Sequence, residues 1–324
     1  MSYFKKPYER EAKETLNVLI YGRPGIGKTT LACSAQGVFL FDFDGGIDRV
    51  ETFYQAGNIF EPARWEDLAP AIAELAQTPE AKTIVVDTIG KLLDMAVDYI
   101  RRTKPTYIQN DGAPSLKGYG YRNQLFRDFL SQLNAIGKSV VFVAHEVEDK
   151  IKINREEITT MRPNISGSSR NDIIQDLDMM GYMCMTNGQR TITFDQNDNI
   201  LAKNSRNIHG TWNETMRQYN PIAVPMLDGK VPNLFLQQVV FEGNIEYLTR
   251  RREDMENYAQ VMEVVSEMIA ECTELDCMNE IVDKISAKTF QHIFDSKLRA
   301  GQMIAKRCKE LGFTFNKQTK HYEQ

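Results

Sequence analysis

The chain has 324 residues, of which 42% are hydrophobic and 26% charged, with a formal net charge of −5. That length and balance suit one large α/β domain, alone or with a smaller accessory domain, and exclude a disordered or fibrous chain. The acidic total also excludes coating of nucleic acid by bulk positive charge, though it leaves room for a local basic groove.

Residues 17–21 form the first predicted strand, followed by Gly22-Arg23-Pro24-Gly25-Ile26-Gly27-Lys28-Thr29 and a predicted helix over 29–36. This is G-x-x-x-x-G-K-[ST] between a strand and a helix, the setting in which the motif binds phosphate. Its glycines let consecutive backbone N–H groups turn inward, and the helix N-terminus adds partial positive charge. Lys28 is expected to reach the β- and γ-phosphates and the Thr29 hydroxyl to ligate Mg²⁺. The nucleotide-binding set comprises Gly22, Pro24, Gly25, Ile26, Gly27, Lys28, Thr29 and Thr30. A strand over 38–43 ends near Asp42 and Asp44, one pleat apart; Asp44 is expected to polarise the attacking water. After a helix over 66–77, a strand over 83–87 ends in Asp87, placed to hold Mg²⁺ opposite Thr29.

Helices over 90–102 and 121–136 flank a polar connection over 103–120. The next strand, 139–144, ends in His145-Glu146, polar groups expected to sense the γ-phosphate. A second polar connection, 147–172, also exceeds ordinary loop lengths. With a strand over 190–194, the pattern predicts a mostly parallel sheet with helices on both faces and a site at the carboxyl ends of its strands. An irregular, proline-marked stretch over 212–232 reads as a linker, and helices follow over 245–272, 274–287 and 289–311. The polar end, 317–324, is expected to fray. Domains are thus expected over 1–230 and 231–324. Five cysteines without a Cys-x-x-Cys pair predict reduced thiols. No apolar run approaches the roughly 18 residues of a membrane span and the start shows no signal-peptide pattern, so the expectation is a cytoplasmic protein.

The order of these features is that of RecA-type ATPases, and Phe41-Asp42-Phe43-Asp44-Gly45-Gly46-Ile47-Asp48 resembles the RecA segment that carries the catalytic glutamate. The resemblance puts that role on Asp44, an adenine contact on Asp48, and the sensor pair on His145 and Glu146. Leu201-Ala202-Lys203-Asn204-Ser205-Arg206-Asn207-Ile208-His209-Gly210 resembles the Lys-x-Arg stretch of RecA-like hexameric helicases, which implies that Lys203 and Arg206 reach a neighbouring subunit's ATP. Over about residues 15–215 the pattern looks most like the phage-encoded RecA-core ATPases grouped with single-strand annealing recombination proteins. It departs from RecA in the shorter Asp44, in Glu146 for a neutral glutamine, and in Glu51 where an aromatic stacks on adenine. The spacing from Lys203 to Arg206 is one residue longer than in the helicases.

The resemblance implies a RecA-like P-loop NTPase core with an α-helical C-terminal domain, ATP and Mg²⁺ as cofactors, and hydrolysis between the subunits of a homo-oligomeric ring or filament. It also implies single-stranded DNA as a partner, in host cytoplasm if the chain is phage-encoded, and a single-strand-binding or other recombination or replication protein as another. The two long connections correspond in order to the DNA-binding loops of RecA. In the second, Lys150, Lys152, Arg155, Arg162 and Arg170 would meet phosphates, although Glu148, Asp149, Glu156 and Glu157 nearly cancel their charge. In the first, Tyr107, Tyr119 and Tyr121 would supply stacking. Two other readings stay open: a helicase-like motor or loader, and a nucleotide-gated switch that recruits a partner without touching DNA.

Overall fold

The computed structural model describes residues 13–153, 156–166, 169–225 and 233–324, apart from the side chains of 151–156. The chain divides into two compact units, 13–245 and, in its described part, 246–324. The first unit opens with β1 (Asn17–Gly22), buried at every position, as a strand covered on both faces must be. There follow α1 (Lys28–Ala32), β2 (Val38–Asp42), β3 (Asn58–Phe60), α2 (Leu68–Ala76), β4 (Thr83–Asp87), α3 (Ile89–Thr103) and α4 (Leu116–Ala135). Next come β5 (Ser139–Ile153), β6 (Glu156–Pro163), α5 (Ser169–Asp176), β7 (Met179–Thr186) and β8 (Gln189–Thr193).

The sheet order is β8-β7-β1-β5-β4-β2-β3. Strands β7 through β3 run parallel and β8 returns antiparallel, which is the mostly parallel α/β sheet the strand pattern predicts. Pleating sends alternate side chains to opposite faces. Val18 and Ile20 enter a core with Leu31 and Ala32 of α1, while Leu19 and Tyr21 enter a second core with α2, α3 and α4.

Several boundaries differ from expectation. Residues 147–153 and 156–163 are strand: β5 runs on to Ile153 and pairs antiparallel with β6, Val147 opposite Arg162 and Ile151 opposite Ile158. The first connection is shorter than predicted because Ser115 caps α4, its Oγ accepting from the Gly118 N–H at 3.2 Å. Residues 212–223 carry a small ladder, Trp212–Asn213 with Gln218–Tyr219, and Ile222–Ala223 joins β8. Phe235, Leu236, Val240 and Phe241 pack into the core beside α1, so the first compact unit extends past 230.

The second unit is built from α6 (Gly243–Glu271), α7 (Leu275–Ser286) and α8 (Ser296–Glu310). Its core gathers Val265, Ile269, Met278, Ile281, Ala300 and Ile304, the helical C-terminal region the sequence predicts. The end of the chain is not frayed. Tyr322 is buried, its N–H donates to Asn279 Oδ1 at 2.8 Å, and it pairs with Phe315. The expectation of five reduced thiols also fails at one pair: Cys272 and Cys277 are joined across the α6–α7 turn, their Cα atoms 6.0 Å apart, within bridging range.

Candidate functional site

Parallel strands put their carboxyl ends on one edge, and the register aligns the chemistry there. Gly22 lies level with His145, and Asp42 with Asp87. The phosphate loop leaves β1 at Gly22, where β7 passes so close that a Cβ would strike the Met183 carbonyl. It ends at Gly27, the cap of α1, with φ 97°, a conformation only glycine adopts without strain. Lys28 is 6% exposed, and its Nζ donates to the carbonyls of Gly22 at 3.0 Å and Arg23 at 2.8 Å. Those are loop carbonyls whose place a phosphate oxygen can take. Burial holds the Lys28 ammonium below the usual lysine range, against the attraction of Asp87, Glu146 and Asp44.

Thr29 Oγ1 donates to Asp87 Oδ2 at 2.6 Å. Asp87 is 2% exposed. Burial pushes its carboxyl up to about 6, helped by repulsion from Asp44 and Asp42 and opposed by the Thr29 hydrogen bond and Lys28. Asp44 Oδ1 is buried with no hydrogen-bond partner. It lies 2.8 Å, and Thr29 Oγ1 3.9 Å, from the point a Gly46 Cβ would occupy. Thr29, Asp87 and Asp44 therefore form a compact set of hard oxygen donors. Such a set fits Mg²⁺, which takes one or two carboxylates together with phosphate oxygens and waters.

Asp42 has a different task from its neighbour. Its buried carboxylate accepts the N–H groups of Asp44, Gly46 and Ile47 at 3.2, 3.0 and 2.9 Å. This shapes the turn that carries Asp44 toward Thr29. Removing it strands those donors, so Asp42→Ala is expected to cost about 3 kcal/mol of stability, measured as a fall in melting temperature. Asp42→Asn, which keeps one acceptor, is expected to lose less.

His145 Nδ1 is buried and unpartnered. Burial and the charges of Lys28 and Lys91 lower its pKa against the pull of Asp44, which leaves a neutral imidazole beside the loop. Glu146 is tied to the loop itself: Arg23 Nε donates to its Oε1 at 3.1 Å. The structure thus brings Lys28, Thr29, Asp87, Asp44, His145 and Glu146 together. Asp48 is exposed on the helical turn Gly46–Arg49.

Lys203 and Arg206 lie at the opposite, amino-terminal edge of the sheet. Lys203 is level with Met180 of β7, and its Nζ donates to the Ile174 carbonyl at 3.0 Å. Arg206 Nη2 donates to Asp178 Oδ1 at 2.9 Å, while Asp178 Oδ2 accepts the N–H of Asn17, the first residue of β1. Neither cation is brought to the phosphate loop of its own subunit. Of the predicted DNA contacts, Lys150 pairs with Glu157 at 2.7 Å and Arg162 with Asp149 at 2.6 Å on the β5–β6 hairpin. Arg170 sits in the first turn of α5. Arg155 and the Lys152 side chain lie outside the described residues. In the first connection, Lys104 Nζ stands 4.0 Å from the Tyr121 ring centroid and 5.4 Å from that of Tyr107.

One residue at the loop is absent from the sequence-based set. Arg190 of β8 donates from Nε to the Ile26 carbonyl at 2.8 Å. The turn before it, Asn187-Gly188, has both residues at positive φ, and Asn-Gly between alternating residues is a strong hairpin signal. That signal would have folded Arg190 back beside Met185, at the carboxyl end of β7.

The AAA domain family matches residues 14–206, more than half of the chain. No curated protein matches the sequence.

Proposed function

The chain belongs to the AAA domain family and is a P-loop NTPase, and from that premise we propose that it is a Mg²⁺-dependent ATPase of the phage recombination type, which binds single-stranded DNA and promotes annealing or pairing. The carrying observation is the convergence of Lys28, Thr29, Asp87 and Asp44 at one edge of the sheet. Lys28 and the loop N–H groups hold the phosphates, Thr29 and Asp87 hold the metal, and Asp44 orients water. Mg²⁺, when bound, neutralises charge on the β- and γ-oxygens. His145 and Glu146 report the γ-phosphate from the start of the β5–β6 hairpin.

The DNA half of the reading rests on that hairpin, which leaves the sheet directly from the sensor pair and carries Lys150 and Arg162. Their ion pairs are partly or fully solvent-exposed, and such pairs contribute little and can be exchanged for phosphates. The chain acts as a homo-oligomer, with Lys203 and Arg206 completing a neighbour's site, in cytoplasm. Among the described residues, no helix is long and apolar enough to cross a membrane. One observation favours the rival reading, a nucleotide-gated switch: Lys150 and Arg162, the hairpin cations whose side chains are described, each already face an acid.

ATPase rate against protein concentration, with and without single-stranded DNA, tests both. The expected result is a specific activity that rises with concentration and rises again with DNA. Under the switch reading DNA changes nothing. Arg206→Ala is expected to remove the concentration-dependent part, since a cation supplied in trans accelerates hydrolysis by about 10³–10⁵. If the variant matches wild type at high concentration, Arg206 only braces Asp178.

A further inference from the structure

We infer that Arg190 is a positioning residue of the phosphate loop, which sets the Ile26–Gly27 peptide so that the Gly27 N–H faces the nucleotide. The inference rests on the nucleotide-binding reading above and adds a residue that neither the loop motif nor the metal set contains.

The geometry begins with the peptide plane. In a trans peptide the carbonyl and the following N–H point to opposite sides, and the Ile26–Gly27 bond is not among the cis peptides. The Ile26 carbonyl is directed at Arg190 Nε, 2.8 Å away, so the Gly27 N–H is directed away from Arg190. Arg190 approaches the loop from the side of β7 and β8. Its Nε stands 3.6 Å, and its Cδ 3.9 Å, from the point a Gly27 Cβ would occupy. The opposite side is where the N–H groups of the loop gather around phosphate.

Gly27 at φ 97° has no side chain to restrict its backbone, so the peptide before it is free to turn unless something holds the carbonyl. A guanidinium does this well, because a hydrogen bond from a charged donor is roughly twice as strong as a neutral one. It also polarises the peptide, which makes the N–H on the far side a better donor to an anion. The holder is built into the sheet. The tight Asn187-Gly188 turn fixes β8 against β7, and β7 is bound along β1 from Val18 to Gly22, so the strand that delivers the loop and the strand that carries Arg190 are parts of one rigid ladder.

The test is calorimetric titration of ADP and of a non-hydrolysable ATP analogue into wild type, Arg190→Met and Arg190→Lys. The loop N–H groups serve the α- and β-phosphates, which both nucleotides carry. The expected result is therefore an equal loss of affinity for ADP and the ATP analogue in Arg190→Met, of about 10–30-fold. The melting temperature of the nucleotide-free protein should stay near that of wild type. Arg190→Lys, which keeps one charged donor, should recover most of the loss. Unchanged binding in Arg190→Met overturns the inference while the nucleotide reading stands. A loss confined to the ATP analogue also overturns it, because it would make Arg190 a γ-phosphate contact. If wild type binds neither nucleotide, both fall. If Arg190→Met does not fold, Arg190→Lys and Arg190→Gln decide, the neutral donor being expected to bind both nucleotides several-fold more weakly than the charged one; equal affinities overturn the inference.

Discussion

Asp87→Asn is expected to raise the melting temperature of the nucleotide-free protein near neutral pH while abolishing Mg²⁺-dependent turnover. The carboxyl is buried between Thr29 and two further acids, and its pKa rises from the ordinary 3.8 to about 6. A raised acid pKa means that the fold prefers the neutral form. Below about pH 4 the group is neutral in folded and unfolded chains alike, and its burial costs nothing. Between about pH 4 and 6 the unfolded chain ionises while the fold holds the proton, so the cost builds up across that window and levels off above about pH 6 on the order of 3 kcal/mol. Asparagine keeps an oxygen for the Thr29 hydroxyl without the charge. For a unit of this size a gain of that order corresponds to a rise of about 6–12 °C. Melting curves of both proteins across pH check it: the gap should be nearly closed at about pH 4, open between about pH 4 and 6, and stay constant above that. A gap that does not change with pH would refute burial of charge as its cause. Mg²⁺ with ATP should stabilise wild type through binding and lose its metal-dependent part in the variant.

Lys28→Ala is expected to remove detectable nucleotide binding, with a loss of at least about 100-fold for ATP. Lys28 offers buried, charge-assisted hydrogen bonds, each worth about 1.5–3 kcal/mol, and two or more phosphate oxygens would share them. The variant also leaves Asp87 and Asp44 without their nearest buried cation, so the Asp87 carboxyl should titrate even higher than about 6. Fluorescent-nucleotide titration separates the two variants. Asp87→Asn should still bind ATP weakly without metal, whereas Lys28→Ala should bind it neither with metal nor without. Wild-type affinity in Lys28→Ala would end the phosphate-loop assignment.

The parts of the site that were legible in the sequence are those whose geometry is local or follows from parallel strands. Gly22 through Thr29 is one continuous motif. Asp87, Asp44 and His145 could be placed together because strands joined by helices must end on the same edge. Asp42 was harder to read: two acids on one pleat look equivalent until the turn after Asp42 curls its own N–H groups onto the first of them. The place of Lys203 and Arg206 in the sheet was not legible, because chain order does not say at which end of a strand a segment finishes. That is fixed only by the pairing of residues 203 and 204 with β7. The β5–β6 hairpin was hidden by its charges, although Val147, Ile151 and Ile153 alternate as in a strand. β7, rich in methionine and poor in β-branched residues, lacks the usual composition of a buried strand. Arg23 and Glu146 are 123 positions apart, and no spacing rule connects them.

β5 is a single unbroken strand whose first part is clamped between β1 and β4, and whose second part, from Glu146 to Ile153, pairs among the described residues with β6 alone. At about 3.3 Å per residue the outer part is a beam roughly 25 Å long. Its fulcrum lies at Ala144 and His145, level with Tyr21 and Gly22, and just beyond it Glu146 is coupled to Arg23 of the phosphate loop. On a beam of that length, a tilt of about 5° at the fulcrum carries the far end roughly 2 Å. A sub-ångström movement at the loop, if passed through Glu146, would thereby be geared up into displacement at Ile153, the far end of β5.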